Sequence, residues 1–229
     1  MKKKIVVLTG AGVSAESGLS TFRDSGGLWE GHNVMDVASP EGWRKNKKLV
    51  LAFYNARRRQ LTNARPNDAH FALVKLEEKY DVTIATQNVD DLHERAGSSN
   101  VIHLHGDLNK ARSTSHPDLI YVLNGKDINI GDKCEKGSQL RPHIVWFGEM
   151  VPMMEEAIKH SVDADIFLII GTSLAVYPAA GLIEFVPEYS EKYIIDPIKP
   201  EYNIHHSNLT FIQEKATKGT TELVEKLVK

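Results

Sequence analysis

At 229 residues, 41% hydrophobic and 25% charged, the chain has the make-up of an ordinary globular protein, long enough for one good-sized domain or for a domain carrying a smaller insertion. A formal net charge of −2 gives no electrostatic case for a nucleic-acid or membrane partner, and no apolar run nears the roughly 20 residues that a transmembrane helix needs. The single cysteine, Cys134, has no internal disulfide partner and fits a reducing compartment, so the expected location is cytoplasmic.

Lys2–Lys4, the apolar Ile5–Leu8 and Val13-Ser14-Ala15 together look like a secretory signal. The apolar stretch is far shorter than the about 7–15 residues such a signal uses, so the expectation is a first β-strand, Ile5–Thr9, behind a short basic start with no room for a long targeting extension. Next, Gly10-Ala11-Gly12-Val13-Ser14-Ala15 satisfies G-x-G-x-x-[G/A] between that strand and an expected helix. Glycines there let the backbone approach a diphosphate whose charge the N–H groups at a helix start stabilise. The hexamer reads equally well as a tight turn that binds nothing, and the acidic ribose-binding residue usual about 20 positions on is missing. In its place stands STFRDSGGLW, where Phe22-Arg23-Asp24 before Gly26-Gly27 suits a loop closing over a ligand with Phe22 excluding water, or an ordinary loop with one buried aromatic.

Helical spacing follows in KKLVLAFYNARRRQL and again over Asn67–Lys79. The strand Val82–Thr86 runs into TQNVDDLH, which sets Gln87, Asn88 and Asp90 where a parallel strand delivers polar side chains to a crevice; helix capping is the plainer reading. In VIHLHGD, His103 and His105 share a strand face, and His105, nearer the loop, is the candidate general base. Further strands are expected at Ile144–Phe147, Ile166–Ile170 and Tyr193–Ile195, and further helices at Met153–His160 and Gly219–Val228. The alternation gives an α/β fold, a Rossmann-like parallel sheet with helices on both faces, over about 1–29, 66–108 and 142–229. Insertions over about 30–65 and 109–141 form a smaller domain, and the cleft between the two parts is the expected site.

Taken together, GAGVSAESGLSTFRD, TQNVDDLH, HLHG, RPHIVWFGE and GTSLAVYPAAG run in the order of the sirtuin family of NAD-dependent protein deacylases and resemble it across nearly the whole chain, most closely its bacterial CobB-type branch. The resemblance implies NAD as co-substrate and acylated-lysine proteins as substrates, with a monomer as the working expectation. Gly10, Ala11, Gly12 and Ser14 would contact the diphosphate, with Glu16 orienting the loop. Phe22, Arg23 and Asp24, with Trp29, would belong to the loop over the nicotinamide ribose. Gln87, Asn88, Val89 and Asp90 would hold that ribose and the nicotinamide, and His105 would be the general base. Gly171, Thr172 and Ser173 would border the adenosine, Asp196 would stand where the family more often has asparagine near the adenine ribose, and Ala216 would offer backbone to the adenine. Val145, Phe147, Gly148 and Glu149 would form the edge to which a substrate peptide adds as a strand. In the implied reaction the acyl oxygen attacks the anomeric carbon as nicotinamide leaves, His105 activates a ribose hydroxyl that attacks the resulting imidate, and water completes the reaction to free lysine and O-acyl-ADP-ribose.

Within this family a Tyr-x-x-Arg pair such as Tyr54 and Arg57 marks acceptance of succinyl and malonyl groups, because a guanidinium fork and a hydroxyl suit a terminal carboxylate. The plainer reading makes Arg57-Arg58-Arg59 a solvated basic face. The family's usual four zinc-binding cysteines are reduced here to Cys134, and His116, Asp118 and Asp132 lack ligand spacing. No structural zinc is therefore expected, which leaves the small domain to hold by packing alone. NAD hydrolysis or ADP-ribosyl transfer in the same pocket, and a non-catalytic NAD- or ADP-ribose-binding module, are the competing functions; a metabolic dehydrogenase lacks its acidic ribose residue.

Overall fold

The structure is a computed structural model and describes residues 2–20, 28–200 and 207–229. Strand β1 (Lys4–Thr9) is followed by two 3-10 turns, Ala11–Val13 and Ala15–Ser17, and by a hairpin of β2 (Leu28–Trp29) and β3 (His32–Asn33). Three helices come next: α1 (Val34–Val37), α2 (Pro40–Lys45) and α3 (Lys47–Asn63). Asn33, Ser39 and Asn46 cap them in turn, each side chain accepting from an otherwise orphaned N–H of the first turn. The chain then runs α4 (Asp68–Leu76), β4 (Asp81–Thr86), α5 (Leu92–Ala96), β5 (Val101–His103), β6 (Gly106–Ser113), β7 (Ile120–Val122) and β8 (Leu140–Ile144). It ends with α6 (Met154–Ser161), β9 (Ile166–Ile170), a 3-10 helix at Ala179–Phe185, β10 (Glu191–Ile195), β11 (Leu209–Ile212) and α7 (Ala216–Leu227).

Six parallel strands form the main sheet in the order β11-β10-β9-β1-β4-β5, so the expected Rossmann-like α/β class is borne out. Successive residues of β1 serve opposite faces, as the two-residue period of a strand requires. Ile5 and Val7 join a core closed by Leu73 of α4 and Leu223 of α7. Val6 and Leu8 join a core closed by Ala157 of α6 and Leu182 of the 3-10 helix. Burial on both faces explains the unbroken apolar run of β9.

A third core lies outside this sheet, where α1–α3 pack on an antiparallel sheet of order β7-β6-β8 around Tyr54, Leu108, Ile144 and Trp146. Here packing alone is not what holds the parts together. The Asn55 side chain both donates to the Ile128 carbonyl (2.9 Å) and accepts its N–H (3.0 Å), and Arg58 donates to the Leu108 carbonyl at 2.7 Å. Cys134 is buried, its thiol 3.3 Å from Ser113 Oγ, and no group of three His, Cys, Asp or Glu is placed to hold a metal among the described residues.

Two element expectations need correction. Gly10–Ala15 does not open an α-helix, because the chain after β1 tightens into the two 3-10 turns. The expected strand Ile144–Phe147 is also misplaced: β8 stops at Ile144, and residues 147–149 turn with Gly148 at φ +87°. Among the described residues, no helix is long and apolar enough to cross a membrane.

Candidate active site

In a parallel sheet the carboxyl ends of all strands lie at one edge, and a crevice opens where successive connections leave in opposite directions. That switch falls between β1 and β9, since the chain builds outward through β4 and β5 on one side of β1 and through β9, β10 and β11 on the other. Two glycine loops interlock there. Gly12 N–H donates to the Gly171 carbonyl at 2.8 Å, and a Cβ on Gly12 would stand 2.6 Å from Gly171 Cα. Gly171 itself has φ +63°, with a virtual Cβ 2.4 Å from Val13 N. The glycines of the fingerprint thus answer first to backbone-on-backbone contact inside the fold.

The crevice continues into a cleft of about 600 Å³, within the range of small-molecule sites. Gly10, Ala11, Gly12, Ser14, Glu16, Trp29, Gln87, Asn88, Val89, Asp90, His105, Gly171, Thr172, Ser173, Asp196 and Ala216 all line it. So do Tyr54, Arg57, Val145, Phe147, Gly148 and Glu149. Phe22, Arg23 and Asp24 lie outside the described residues.

The polar floor is a connected network. Ser14 Oγ donates to Asp90 Oδ2 (3.0 Å) and receives from Asn88 Nδ2 (3.2 Å). Asn88 N–H donates to Thr86 Oγ1, which also accepts from Thr9. Burial pushes the Asp90 carboxyl above its ordinary value, against the opposing hydrogen bonds of Leu92 N–H and Ser14. Gln87 Nε2 donates to Thr172 Oγ1 at 3.1 Å, joining the two strand ends across the crevice. Glu16 accepts from Thr217 Oγ1 at 2.7 Å, tying the first loop to the start of α7 beside Ala216. Asp196 is buried and accepts the Ile198 N–H at 2.9 Å.

The structure separates the two histidines. His103 pairs with Glu94 Oε1 at 2.5 Å, whereas His105 lines the cleft with Nδ1 3.0 Å from the Gln87 carbonyl. A carbonyl only accepts, so the His105 proton sits on Nδ1 and Nε2 keeps its lone pair. Burial lowers the His105 pKa, which favours that neutral form.

On the opposite wall Tyr54 and Arg57 face the cleft one helical turn apart on α3. Trp146 Nε1 donates to the Tyr54 hydroxyl at 3.1 Å; indole is a donor only, so the tyrosine proton is left for another acceptor. Arg57 stacks over Trp29 at 4.7 Å and meets Glu30 Oε1 at 3.2 Å, and its buried Nε has no hydrogen-bond partner among the described residues. The basic run is not a solvated face: Arg58 is buried, and only Arg59 is well exposed, on Asp127. Val145 N–H donates to the His105 carbonyl and Phe147 N–H to the Ala38 carbonyl, which holds this loop at the cleft between both parts of the molecule. Glu149 anchors it, receiving Arg141 at 2.6 Å, Arg112 at 3.1 Å and the Trp146 N–H at 2.9 Å.

Sequence reasoning missed Trp146 and Glu30. Trp146 lies within RPHIVWFGE, but an expected strand there gave no reason for its indole to meet a tyrosine 92 positions away. Glu-Gly between Trp29 and His32 reads as a two-residue hairpin turn, yet nothing local says that the glutamate reaches Arg57.

Residues 10–178 match the model of the Sir2 family. The chain belongs to the Sir2 family. It is 53% identical over 226 residues to an NAD-dependent protein deacylase of Helicobacter pylori, covering 99% of this chain and 98% of that one. A protein of the same name from Bacteroides thetaiotaomicron is 51% identical over 231 residues, with 99% and 98% covered. Among solved structures, a Sir2 homologue in complex with NAD superposes with a TM-score of 0.88 at 40% identity, over 99% of this chain and 90% of that one. A Sir2 protein bound to an acetylated peptide gives 0.83 at 28% identity, over 99% and 94%.

Proposed function

We propose that this Sir2-family protein is an NAD-dependent protein-lysine deacylase that removes succinyl and malonyl groups, with acetyl alongside. NAD-dependent deacylation is what the relatives at about half identity are named for. The acidic-acyl part rests on one observation: a buried guanidinium, Arg57, lines the cleft beside a tyrosine whose hydroxyl accepts from Trp146 and keeps its own proton to donate. That pair matches a terminal carboxylate in charge and in donor geometry.

The residues present suit NAD. The glycine loops offer close backbone, the cleft has the volume, and Asn88 and Asp90 are buried polar groups fixed at its floor. NAD supplies a labile bond between nicotinamide and the anomeric carbon, to which the acyl oxygen adds. Asn88 and Asp90, locked by Ser14, orient the nicotinamide ribose. His105 Nε2 accepts a proton from a ribose hydroxyl while Gln87 holds the ring by Nδ1. Gly171, Thr172, Ser173, Asp196 and Ala216 border the adenosine half, and Phe147 with Gly148 receives the peptide. Trp29 and Leu108 wall the acyl end from water.

Arg57→Met tests the acidic part. The succinyl-peptide kcat/KM falls by at least about tenfold, as loss of a charged hydrogen bond predicts, and the acetyl peptide suffers less. Equal losses on both peptides contradict it.

A further inference from the structure

The β2–β3 hairpin turns on Glu30 and Gly31, both at positive φ (51° and 77°), in the manner of a two-residue hairpin that favours Asn-Gly or Gly-Gly. Glutamate is strained in that region, so its presence calls for a side-chain reason. The reason on view is Arg57: Glu30 Oε1 lies 3.2 Å from its Nη1, and Trp29 covers its guanidinium plane at 4.7 Å. Among the described residues Tyr54 and Asp90 also act on Arg57, and Asp90 is already engaged by Ser14 and the Leu92 N–H. The Glu30 side chain is 28% exposed against 9% for Arg57, so the carboxylate has solvent to move into and the guanidinium does not.

Building on the acidic-acyl reading above, we infer that Glu30 is a specificity-determining residue, a built-in carboxylate that neutralises Arg57 and competes for it with the terminal carboxylate of an acidic acyl group. With Glu30 in place the Arg57 charge is balanced, and the pocket accepts an uncharged acyl group. An incoming succinyl carboxylate brings the same charge to the same cation, with the Tyr54 hydroxyl as an additional donor. The exchange swaps one carboxylate for another on a cation that stays buried, and the carboxylate released is the partner with access to solvent. Glu30 therefore tunes the ratio of acidic to neutral deacylation without taking part in the chemistry.

The test compares wild type, Glu30→Gln, Glu30→Asn and Arg57→Met on one peptide carrying succinyl- or acetyl-lysine, with NAD saturating. Asparagine suits the positive-φ turn, so the second variant guards against a loss caused by the hairpin rather than the charge. Both Glu30 variants lower KM for the succinyl peptide, by about fivefold for a pair of this exposure, and do not lower it for the acetyl peptide. A role confined to steadying the hairpin would instead raise both KM values. If Arg57→Met removes succinyl turnover and neither Glu30 variant lowers the succinyl KM, the competitor role is overturned and the acidic pocket stands. If Arg57→Met leaves succinyl turnover at the wild-type level, the acidic pocket and the competitor fall together.

Discussion

His105 shows how a single backbone contact sets a chemical role. The Gln87 carbonyl fixes the proton on Nδ1, and burial holds the ring neutral. The working form is therefore lost only when pH falls through a value below the ordinary 6.5 of histidine. We expect the acid limb of kcat/KM for an acylated peptide to lie below pH 6.5, and a limb above it would contradict the assignment. His105→Asn should lower kcat by about 10²–10⁴, the usual worth of a general base. The same scale shows what a sequence hides. His105 was legible because it follows an apolar run and precedes a glycine, although the expected strand stops at His103 and His105 sits in the turn before β6. Glu30 was not, because its partner lies 27 positions away on a helix whose rotation only the tertiary structure settles.

At the scale of elements, α3 does two things at once. One stretch of it presents Tyr54 and Arg57 to the cleft, and within the same turn Asn55 binds the backbone of the loop between β7 and β8 and Arg58 that of β6. Asn55→Ala leaves a buried N–H and a buried carbonyl of Ile128 unpaired, at a cost of about 2 kcal/mol or more. The melting temperature should drop by several degrees in thermal unfolding. An unchanged melting temperature would mean that this contact contributes nothing to the junction. The antiparallel sheet was the least legible part of the fold for a physical reason. In β6, Gly106, Leu108, Ala111 and Ser113 are the buried positions, and the shift of register between Asp107 and Ala111 breaks the two-residue period by which a strand is recognised. β11 was hidden differently, since Leu209–Ile212 is only half buried at the sheet edge. Strands buried on both faces, such as β1 and β9, carry plain apolar runs, and those were readable.

For the whole molecule, the sheet order places the switch point, the switch point places the glycine loops, and the module of α1–α3 and β6–β8 closes the cleft from the other side. Lining residues spread over most of the chain's length, from Gly10 to Ala216, converge there because parallel strands end at one edge. The central claim is that this cleft uses NAD to take acyl groups, acidic ones included, from lysine. The most direct measurement is mass spectrometry of a succinyl-lysine peptide and its acetyl twin, each incubated with and without NAD. The account predicts NAD-dependent loss of succinyl with formation of succinyl-ADP-ribose. Acetyl loss alone would contradict the acidic pocket, and no turnover of either peptide, despite NAD binding, would contradict the deacylase itself.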